Sequence, residues 1–189
     1  DCGFMTQRLT PGWVSLLCLG LMISCQDPGA TPNPVQTQVD AGPSLLEDAR
    51  WQRAFRQLSA QAGPDAYVLE FDVHPDRIVL KARDPRAKTK VLQHTYRGGR
   101  VEAPVPVRLL GTGTLEDNLF PMSEVDWNRV PAVAQEALGA VDPEGRISHV
   151  LIRRNLPHDT QIRMRAYVSS PIRDGYVDAD AQGKILAGP

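Results

Sequence analysis

Residues 67–83 read YVLEFDVHPDRIVLKAR, and this stretch decides the fold. On both sides of the central Pro75-Asp76 pair, apolar residues alternate with other residues: Leu69, Phe71 and Val73, then Ile78, Leu80 and Ala82. A period of two is typical of strands with one buried face, and a Pro-Asp pair is typical of a turn. The stretch therefore predicts an antiparallel hairpin with one dry face and one wet face.

A helix is expected before this hairpin. Four apolar residues recur at spacings of four, three and four, which places them on one helix face: Trp51, Phe55, Leu58 and Ala62. Ser44-Leu45-Leu46-Glu47 has the pattern of a capping box, and Gly63-Pro64 is typical of a helix end. We expect a helix that starts at Ser44 and covers the dry face of the hairpin.

Two more extended segments complete the unit, at residues 90–97 and 100–103. Asp84-Pro85 and Gly98-Gly99 supply the turns between the strands. One helix followed by a four-stranded antiparallel meander is therefore the predicted unit.

The second half follows the same order. Ser123 is placed to cap a helix that carries Trp127, and Pro131 restarts or kinks this helix toward Leu138-Gly139. Four strands are expected after it, at residues 147–154, 161–168, 175–180 and 184–187.

Direct matches between the halves indicate a duplication. At an offset of 76, Trp51-Gln52-Arg53 meets Trp127-Asn128-Arg129, and Gly63 meets Gly139. At an offset of 84, two further segments match: residues 77–82 with 161–166, and 99–101 with 183–185. The predicted fold is α+β, with two tandem helix-plus-four-stranded antiparallel meander repeats and the helices on one face. Because each repeat is small, we expect the two to share a continuous sheet or core.

Two families carry a resemblance to the folded part. Residues 175–186, GYVDADAQGKIL, resemble the closing hairpin of PepSY-type domains, which are small secreted helix-plus-sheet modules. The doubled helix-plus-sheet order is also similar to the β-lactamase inhibitory proteins, whose sheet grips a protein partner. Those inhibitors contain disulfides, whereas residues 26–189 contain no cysteine. The resemblance implies a protein-binding sheet and no active site.

The first 25 residues have the features of an export signal. Read from Met5, a short start with one positive charge precedes an apolar run at residues 13–24, shorter than the roughly 20 residues that span a bilayer core. Residues 21–25, LMISC, resemble the lipobox of bacterial lipoproteins. The resemblance implies a lipid on Cys25, and Gln26 after it implies the outer membrane facing the periplasm. An ordinary secreted protein is the alternative.

Residues 26–43 read QDPGATPNPVQTQVDAGP and are expected to form a tether. Prolines cannot donate to a helix or a sheet, and the segment has little to bury. We therefore divide the chain into five parts: signal peptide 1–24, lipidated cysteine and tether 25–43, first repeat 44–110, inter-repeat loop 111–119, and second repeat 120–189.

No motif in the sequence predicts catalysis. The three cysteines all lie within the first 25 residues, which argues against a thiolate zinc site or a disulfide scaffold in the folded part. The four histidines lack metal-ligand spacing, and we expect no metal and no cofactor: His74, His94, His149 and His158. The enzymatic alternative requires a pocket that combines two of four residues: His94, His149, Asp178 and Asp180.

Charge is unevenly distributed behind a net charge of -1. Residues 66–104 hold eight basic and five acidic side chains, residues 146–186 hold seven and four, and residues 114–145 hold one and seven. The candidate binding surface is the open sheet face, with the cations that alternate along the strands and two tyrosines: Lys81, Arg83, Arg163, Arg165, Tyr96 and Tyr176. A merely solvated basic face is the alternative.

The sequence thus predicts a non-enzymatic, membrane-anchored lipoprotein that acts as a binding or assembly module of the bacterial cell envelope. The expected partners are the membrane, through Cys25, and an unknown envelope protein or acidic cell-wall ligand, with no nucleic acid. The alternative is a PepSY-like inhibitor or regulator of a periplasmic peptidase or other enzyme. That alternative predicts an exposed aromatic cluster on the sheet, formed by Tyr96, Tyr167 and Tyr176.

Overall fold

The hairpin predicted at residues 67–83 forms and lies at the centre of the sheet in a computed structural model, which describes residues 44–110 and 113–187. The predicted signal peptide, Cys25 and the tether lie outside the described residues. The strands are Tyr67–Val73 (β1), Arg77–Asp84 (β2), Ala87–Arg97 (β3), Arg100–Val101 (β4), Val105–Pro106 (β5), Phe120–Pro121 (β6), Arg146–Arg154 (β7), Ile162–Ser169 (β8), Gly175–Ala179 (β9) and Ile185–Ala187 (β10). The helices are Asp48–Ala62 (α1), Leu115–Asn118 (α2) and Val130–Val141 (α3), with 3-10 turns at Met122–Glu124 and Trp127–Arg129.

All ten strands belong to one antiparallel sheet. Its order is β10-β9-β8-β7-β1-β2-β3-β4, with β5 paired to β3 and β6 paired to β1. The two halves meet where β1 pairs with β7, Phe71 opposite Ile152 and Val73 opposite Val150. The predicted α+β class is confirmed, and the two meanders continue each other across this central pair.

The helices α1 and α3 pack on the same face of the sheet, which we call the covered face. Helix α1 contacts β2, β3 and β4, whereas α3 contacts β7, β8 and β9. Alternate strand residues are buried beneath them, among them Phe71, Val73, Ile78, Leu80, Ile152, Met164, Ala166 and Val177. Burial of such side chains contributes about 1.5–3 kcal/mol each, which makes this face the main source of stability.

A cluster of aromatic rings joins the two halves on the covered face. The Phe71 ring lies 6.0 Å from Trp51 and 4.6 Å from Trp127, between centroids. The Trp51 indole N–H donates to the carbonyl of Trp127 at 2.8 Å, and the Trp127 indole donates to Met122 at the same distance. The tryptophans matched in the two repeats therefore contact each other directly.

The predicted start of the first helix is wrong. Helix α1 begins at Asp48, its N-cap Glu47 makes no capping bond, and the Ser44 hydroxyl instead accepts from the Leu46 amide at 3.1 Å. Leu46 is buried and the Leu45 amide donates to the carbonyl of Pro75 at 2.8 Å. The segment is thus fixed to the β1–β2 turn as a turn of its own, so Ser44 cannot sit at the helix N-terminus.

The second helix also differs from its prediction. Ser123 lies in a 3-10 turn, and the Asp126 carboxylate accepts from the amide of Asn128 at 3.1 Å. Pro131 lies in the first turn of α3, where its missing N–H leaves no helical bond unmade. Gly139 is inside α3, whereas its partner Gly63 ends α1 with a φ of 97°. The helices of the two repeats are therefore matched in position on the sheet but not in their ends.

The segment between the repeats contains short elements that were not predicted. Residues 115–118 form α2 within the predicted loop, and the Thr114 hydroxyl caps it by accepting from the Asp117 amide at 3.3 Å. The two-residue strands β5 and β6 lie on either side of it. Within 44–110 and 113–187, no helix is both long enough and apolar enough to cross a membrane.

Candidate binding face

The face of the sheet opposite α1 and α3, here called the open face, carries five of the six predicted surface residues. Along β2 and β8, residues between the buried positions are half-buried: Lys81 and Arg83 on β2, Arg163 and Arg165 on β8. Tyr176 on β9 is 45% exposed. Strand alternation, read from the sequence, placed these five side chains on the open face.

Tyr96, the sixth predicted surface residue, is on the covered face. It is only 3% exposed, and it lies opposite Ile78, which is fully buried. Its placement on the binding surface was therefore wrong. The sequence indicates this burial: Thr95 and Arg97 are polar, so alternation along the strand places Tyr96 between them on the opposite, buried face.

The predicted cations of the open face have partners within the sheet. Lys81 Nζ lies 2.6 Å from the Glu70 carboxylate. Arg163 contacts Asp159 at 3.0 Å, and the Arg83 guanidinium lies 4.1 Å from the ring centroid of Tyr67. Carboxylates compensate the charges of Lys81 and Arg163, and Arg83 lies over an aromatic ring, so these three cations do not form an uncompensated basic surface.

Arg165 has the most complete set of contacts. Its Nε and Nη2 donate to the two oxygens of Asp178 at 2.7 and 2.8 Å, a bidentate pair that raises the pKa of Arg165. The same guanidinium lies 4.2 Å from the ring centroid of Tyr176. Arg165 therefore fixes the conformations of both Asp178 and Tyr176.

Four rings form a row across the open face, each on a different strand or at its end. Tyr176 and Tyr167 have centroids 5.9 Å apart, Tyr167 and His149 are stacked at 4.4 Å, and His149 and His74 are stacked at 5.3 Å. We call Tyr176, Tyr167, His149 and His74 the ring row. The sequence prediction included the two tyrosines but not the two histidines, because the register that brings His74 beside His149 is set by pairing between the repeats.

Asp72 and Arg77 contact His74, the ring of the row that lies nearest the centre of the sheet. The Asp72 carboxylate lies 2.8 Å from Nε2 of His74, and Nη2 of Arg77 lies 3.3 Å from the same nitrogen. A carboxylate can only accept, so the shorter contact places the His74 proton on Nε2, and the Arg77 guanidinium, itself a donor, is then a neighbour of this N–H and not its hydrogen-bond partner. Burial lowers the pKa of His149; Asp72 opposes this shift, and the charges of His74 and Arg77 add to it. His149 is therefore a neutral ring near pH 7.

The four residues of the enzymatic alternative do not converge. His94 is on the covered face, where its Nδ1 lies 3.0 Å from Oε1 of Gln61 and burial lowers its pKa. His149 is on the open face, Asp178 is held by Arg165, and Asp180 accepts from the amides of the following turn, Gln182 and Lys184. Among the described residues, no group of three His, Cys, Asp or Glu side chains is placed to hold a metal ion.

A groove of about 1270 Å³ lies between residues 44–47, α3 and the end of β1, and His74 at the end of the ring row is among its lining residues. Its walls are mostly apolar, from Leu46, Pro131, Leu138 and Ile147, with charged groups at its edge. On the open face itself, a depression of about 30 Å³ is lined by Arg153, Arg163, Arg165 and neighbouring residues. A depression of this size is too small to enclose a small-molecule ligand, because ligand pockets have volumes of about 300–1,000 Å³.

No protein family matches the chain, and no curated protein matches it in sequence. Among solved structures, the chain is similar to the crystal structure of a "putative lipoprotein" from Clostridium difficile 630, with a TM-score of 0.53. The match covers 77% of this chain and 97% of the clostridial chain, at 10% sequence identity. At this identity the similarity shows a common fold.

Proposed function

We propose that this protein is a non-enzymatic, lipid-anchored lipoprotein of the bacterial cell envelope that binds a partner protein through the open face of its sheet. The observation that carries the proposal is the ring row, four adjacent rings on a sheet face that neither α1 nor α3 covers. The anchor places the protein, and the row recognises the partner.

The anchor part of the proposal rests on the start of the chain. Cys25 directly follows a signal-length apolar run, and the proline-rich residues 26–43 that follow it have the composition of a tether. A protein of the same fold is described as a lipoprotein. We place the anchor in the outer membrane, on the periplasmic side, because Gln26 rather than aspartate follows Cys25.

The binding part of the proposal follows from the chemistry of the ring row. Tyrosine is enriched at the centres of protein interfaces, because it supplies apolar area and a hydroxyl at a low cost in conformational entropy. Here Tyr167 is stacked on His149, and Tyr176 is held by Arg165. Rings held in this way are ordered before binding, so little side-chain freedom is lost when a partner docks.

Crosslinking in intact cells tests the binding face. The full-length protein, Tyr167→Ala/Tyr176→Ala and the matched control Tyr67→Ala are compared; Tyr67 is 41% exposed and lies outside the ring row. We expect one set of crosslinked proteins to disappear in the double variant and to remain in the control. The same crosslinked proteins in all three samples would contradict binding through the ring row.

Intact mass and membrane fractionation test the anchor. We expect a mature chain that starts at Cys25, is heavier by a diacylglyceryl group and sediments with outer membranes, whereas Cys25→Ser gives a protein without added lipid. Cleavage elsewhere, with no added mass, would contradict the proposed anchor. The binding face would then still be tested separately by the crosslinking experiment.

A second candidate function is inhibition or regulation of a periplasmic peptidase or other enzyme, as in the PepSY-like alternative. The observation that favours it is the adjacent pair of ordered tyrosines on the sheet, Tyr167 and Tyr176. Adding purified protein to the crosslinked partner separates the two functions. A fall in the partner's enzymatic activity at equimolar protein supports inhibition, and unchanged activity of the complex supports an assembly role.

A further inference from the structure

The ring row continues, strand by strand, into three arginines. The His74 amide donates to the carbonyl of Arg77 at 2.8 Å, which places these residues side by side on neighbouring strands. Arg77 lies opposite Arg97 between β2 and β3, and Arg97 lies opposite Arg100 between β3 and β4. We call the complete line the cross-strand row: Tyr176, Tyr167, His149, His74, Arg77, Arg97 and Arg100.

The arginine half of this row differs from Lys81, Arg163 and Arg165, which each contact a carboxylate. Like charges directly opposite each other destabilise a sheet. Arg77 contacts Asp76 at 3.1 Å, but the exposed side chains of Arg97 and Arg100 have no ion pair or hydrogen bond within the part of the chain that the structure describes. Glu102, opposite Thr95, is a nearby acid and pairs with neither. Two free guanidinium groups in register are suited to carboxylates, which arginine binds in bidentate geometry.

The centre of the ring half does not offer a free ring face. His149 has Tyr167 on one side and His74 on the other, with interplanar angles of 19° and 22°. The Tyr176 ring has Tyr167 and the Arg165 guanidinium as neighbours. Nucleic acid binders stack successive bases on open aromatic faces, and a continuous stack of that kind is interrupted at His149. Ring edges and the tyrosine hydroxyls suit apolar and hydrogen-bonding side chains of a peptide.

We propose that the cross-strand row is the docking strip for an extended acidic peptide segment of the partner protein. Carboxylates of the segment contact Arg97 and Arg100, and apolar or aromatic side chains lie along the ring half. This inference rests on the proposed function and names the partner's chemistry. Seven strands at about 4.8 Å spacing make a strip of roughly 29 Å, which matches about eight or nine extended residues.

Binding to a defined polymer tests the docking strip. The probe is the random copolymer of glutamate and tyrosine, with polyglutamate, polygalacturonate and a single-stranded oligothymidylate as comparisons, measured by biolayer interferometry on the lipidated full chain in detergent. We expect the glutamate-tyrosine copolymer to bind most tightly. Arg97→Glu/Arg100→Glu should weaken it at least tenfold, and Tyr167→Ala/Tyr176→Ala should reduce its affinity to that of polyglutamate.

The matched control is Arg53→Glu/Arg56→Glu, which changes net charge equally at two exposed arginines of α1, on the other side of the sheet. We expect this control to retain affinity within about twofold. Equal weakening by both charge-reversed pairs overturns the docking strip, because it shows attraction to net charge alone. Tighter binding of polygalacturonate or of the oligonucleotide also overturns it, in favour of a polysaccharide or a nucleic acid ligand.

The outcome for the docking strip is separable from that for the proposed function. If crosslinking in cells depends on Tyr167 and Tyr176 but the copolymer does not bind, the acidic-peptide inference fails and the binding face stands. If the copolymer binds through Arg97 and Arg100 but crosslinking is unaffected by the tyrosines, the proposed role of the ring row fails. Equal denaturation midpoints for all variants exclude misfolding as the cause of a loss.

Discussion

Strands β2 and β8 occupy equivalent places in the two halves, and they agree on one face of the sheet and differ on the other. At an offset of 84 residues, the covered-face positions are apolar and buried in both strands: Ile78, Leu80 and Ala82 against Ile162, Met164 and Ala166. Two of the three open-face positions differ in character, Val79 against Arg163 and Arg83 against Tyr167, whereas Lys81 and Arg165 are both cations. Similarity between the repeats therefore follows the core, and the recognition chemistry belongs to positions that the core does not constrain.

The ion pairs of the two strands also differ in direction. Lys81 contacts Glu70 on β1, toward the centre of the sheet, whereas Arg165 contacts Asp178 on β9, toward the edge. The outward pair brings the Arg165 guanidinium onto the ring of Tyr176 and helps to hold the ring row in place. Arg165 thus differs from Lys81 in the strand that supplies its carboxylate, and of these two cations only Arg165 lies over a ring of the ring row.

Truncation of the covered face should have the largest effect, and it should be similar in both halves. Leu80→Ala and Met164→Ala each remove a fully buried side chain, and we expect each to lower the free energy of unfolding by about 2–5 kcal/mol. Urea denaturation followed by circular dichroism measures both. A large loss for one variant and almost none for the other would show that the two halves do not share one core.

Removal of the two indole donors should have the next largest effect. Trp127→Phe leaves the carbonyl of Met122 without its indole donor, and an unsatisfied buried group costs about 1–3 kcal/mol. Trp51→Phe removes one of two donors to the carbonyl of Trp127, which also accepts from the Val130 amide. In denaturation curves we therefore expect the larger loss from Trp127→Phe. The double variant separates the roles, because additive losses indicate two independent bonds and a smaller combined loss indicates that they act as one unit.

Much of the fold was predictable because it depends on short-range patterns. Period-two alternation placed β1 and β2, and glycines with positive φ at Gly99 and Gly183 lie in the turns before β4 and β10, as the repeat predicted. The helix starts were not predictable, because the conformation of residues 44–47 depends on the burial of Leu46 and a bond to Pro75. The two-residue strands β5 and β6 are too short to show any periodicity.

The candidate site was less predictable than the fold. Alternation along one strand assigned Lys81 and Arg165 to the open face, but it contains no information on which side chains are neighbours across strands. His74 and His149 meet only because β1 pairs with β7, a contact between the repeats. The arginine half of the cross-strand row depends in the same way on the register of β2, β3 and β4, so it emerges only once the pairing is known.

Acid should destabilise the protein through one histidine on each face of the sheet. His94 and His149 both have a pKa below the ordinary 6.5 in the folded chain, mainly through burial. As pH falls through 6.5 the unfolded chain takes up protons first, so the free energy of unfolding falls, by at most about 1.4 kcal/mol per pH unit for each histidine.

Denaturation between pH 7.5 and 5 measures this dependence. We expect His94→Gln and His149→Gln each to flatten it. If the slopes of both buried-site variants match the unmodified chain, the loss of stability in acid has another source.

Removal of the ion pairs of the open face should have the smallest effect on the free energy of unfolding. The two pairs compared are Lys81 with Glu70, toward the centre of the sheet, and Arg165 with Asp178, toward its edge. Both pairs are partly exposed to solvent, so each coupling should be about 0.2–1 kcal/mol in a double-mutant cycle, Lys81→Met with Glu70→Gln and Arg165→Met with Asp178→Asn. We expect the larger value for Arg165 and Asp178, because that pair is bidentate and the guanidinium also lies over Tyr176.

Loss of Arg165 should also weaken binding of the glutamate-tyrosine copolymer, whereas loss of Lys81 should not, because only Arg165 orders a ring of the row. Equal effects of the two variants on binding would mean that Tyr176 does not depend on Arg165 for its orientation, and the aromatic surface would then be independent of the ion pairs beside it.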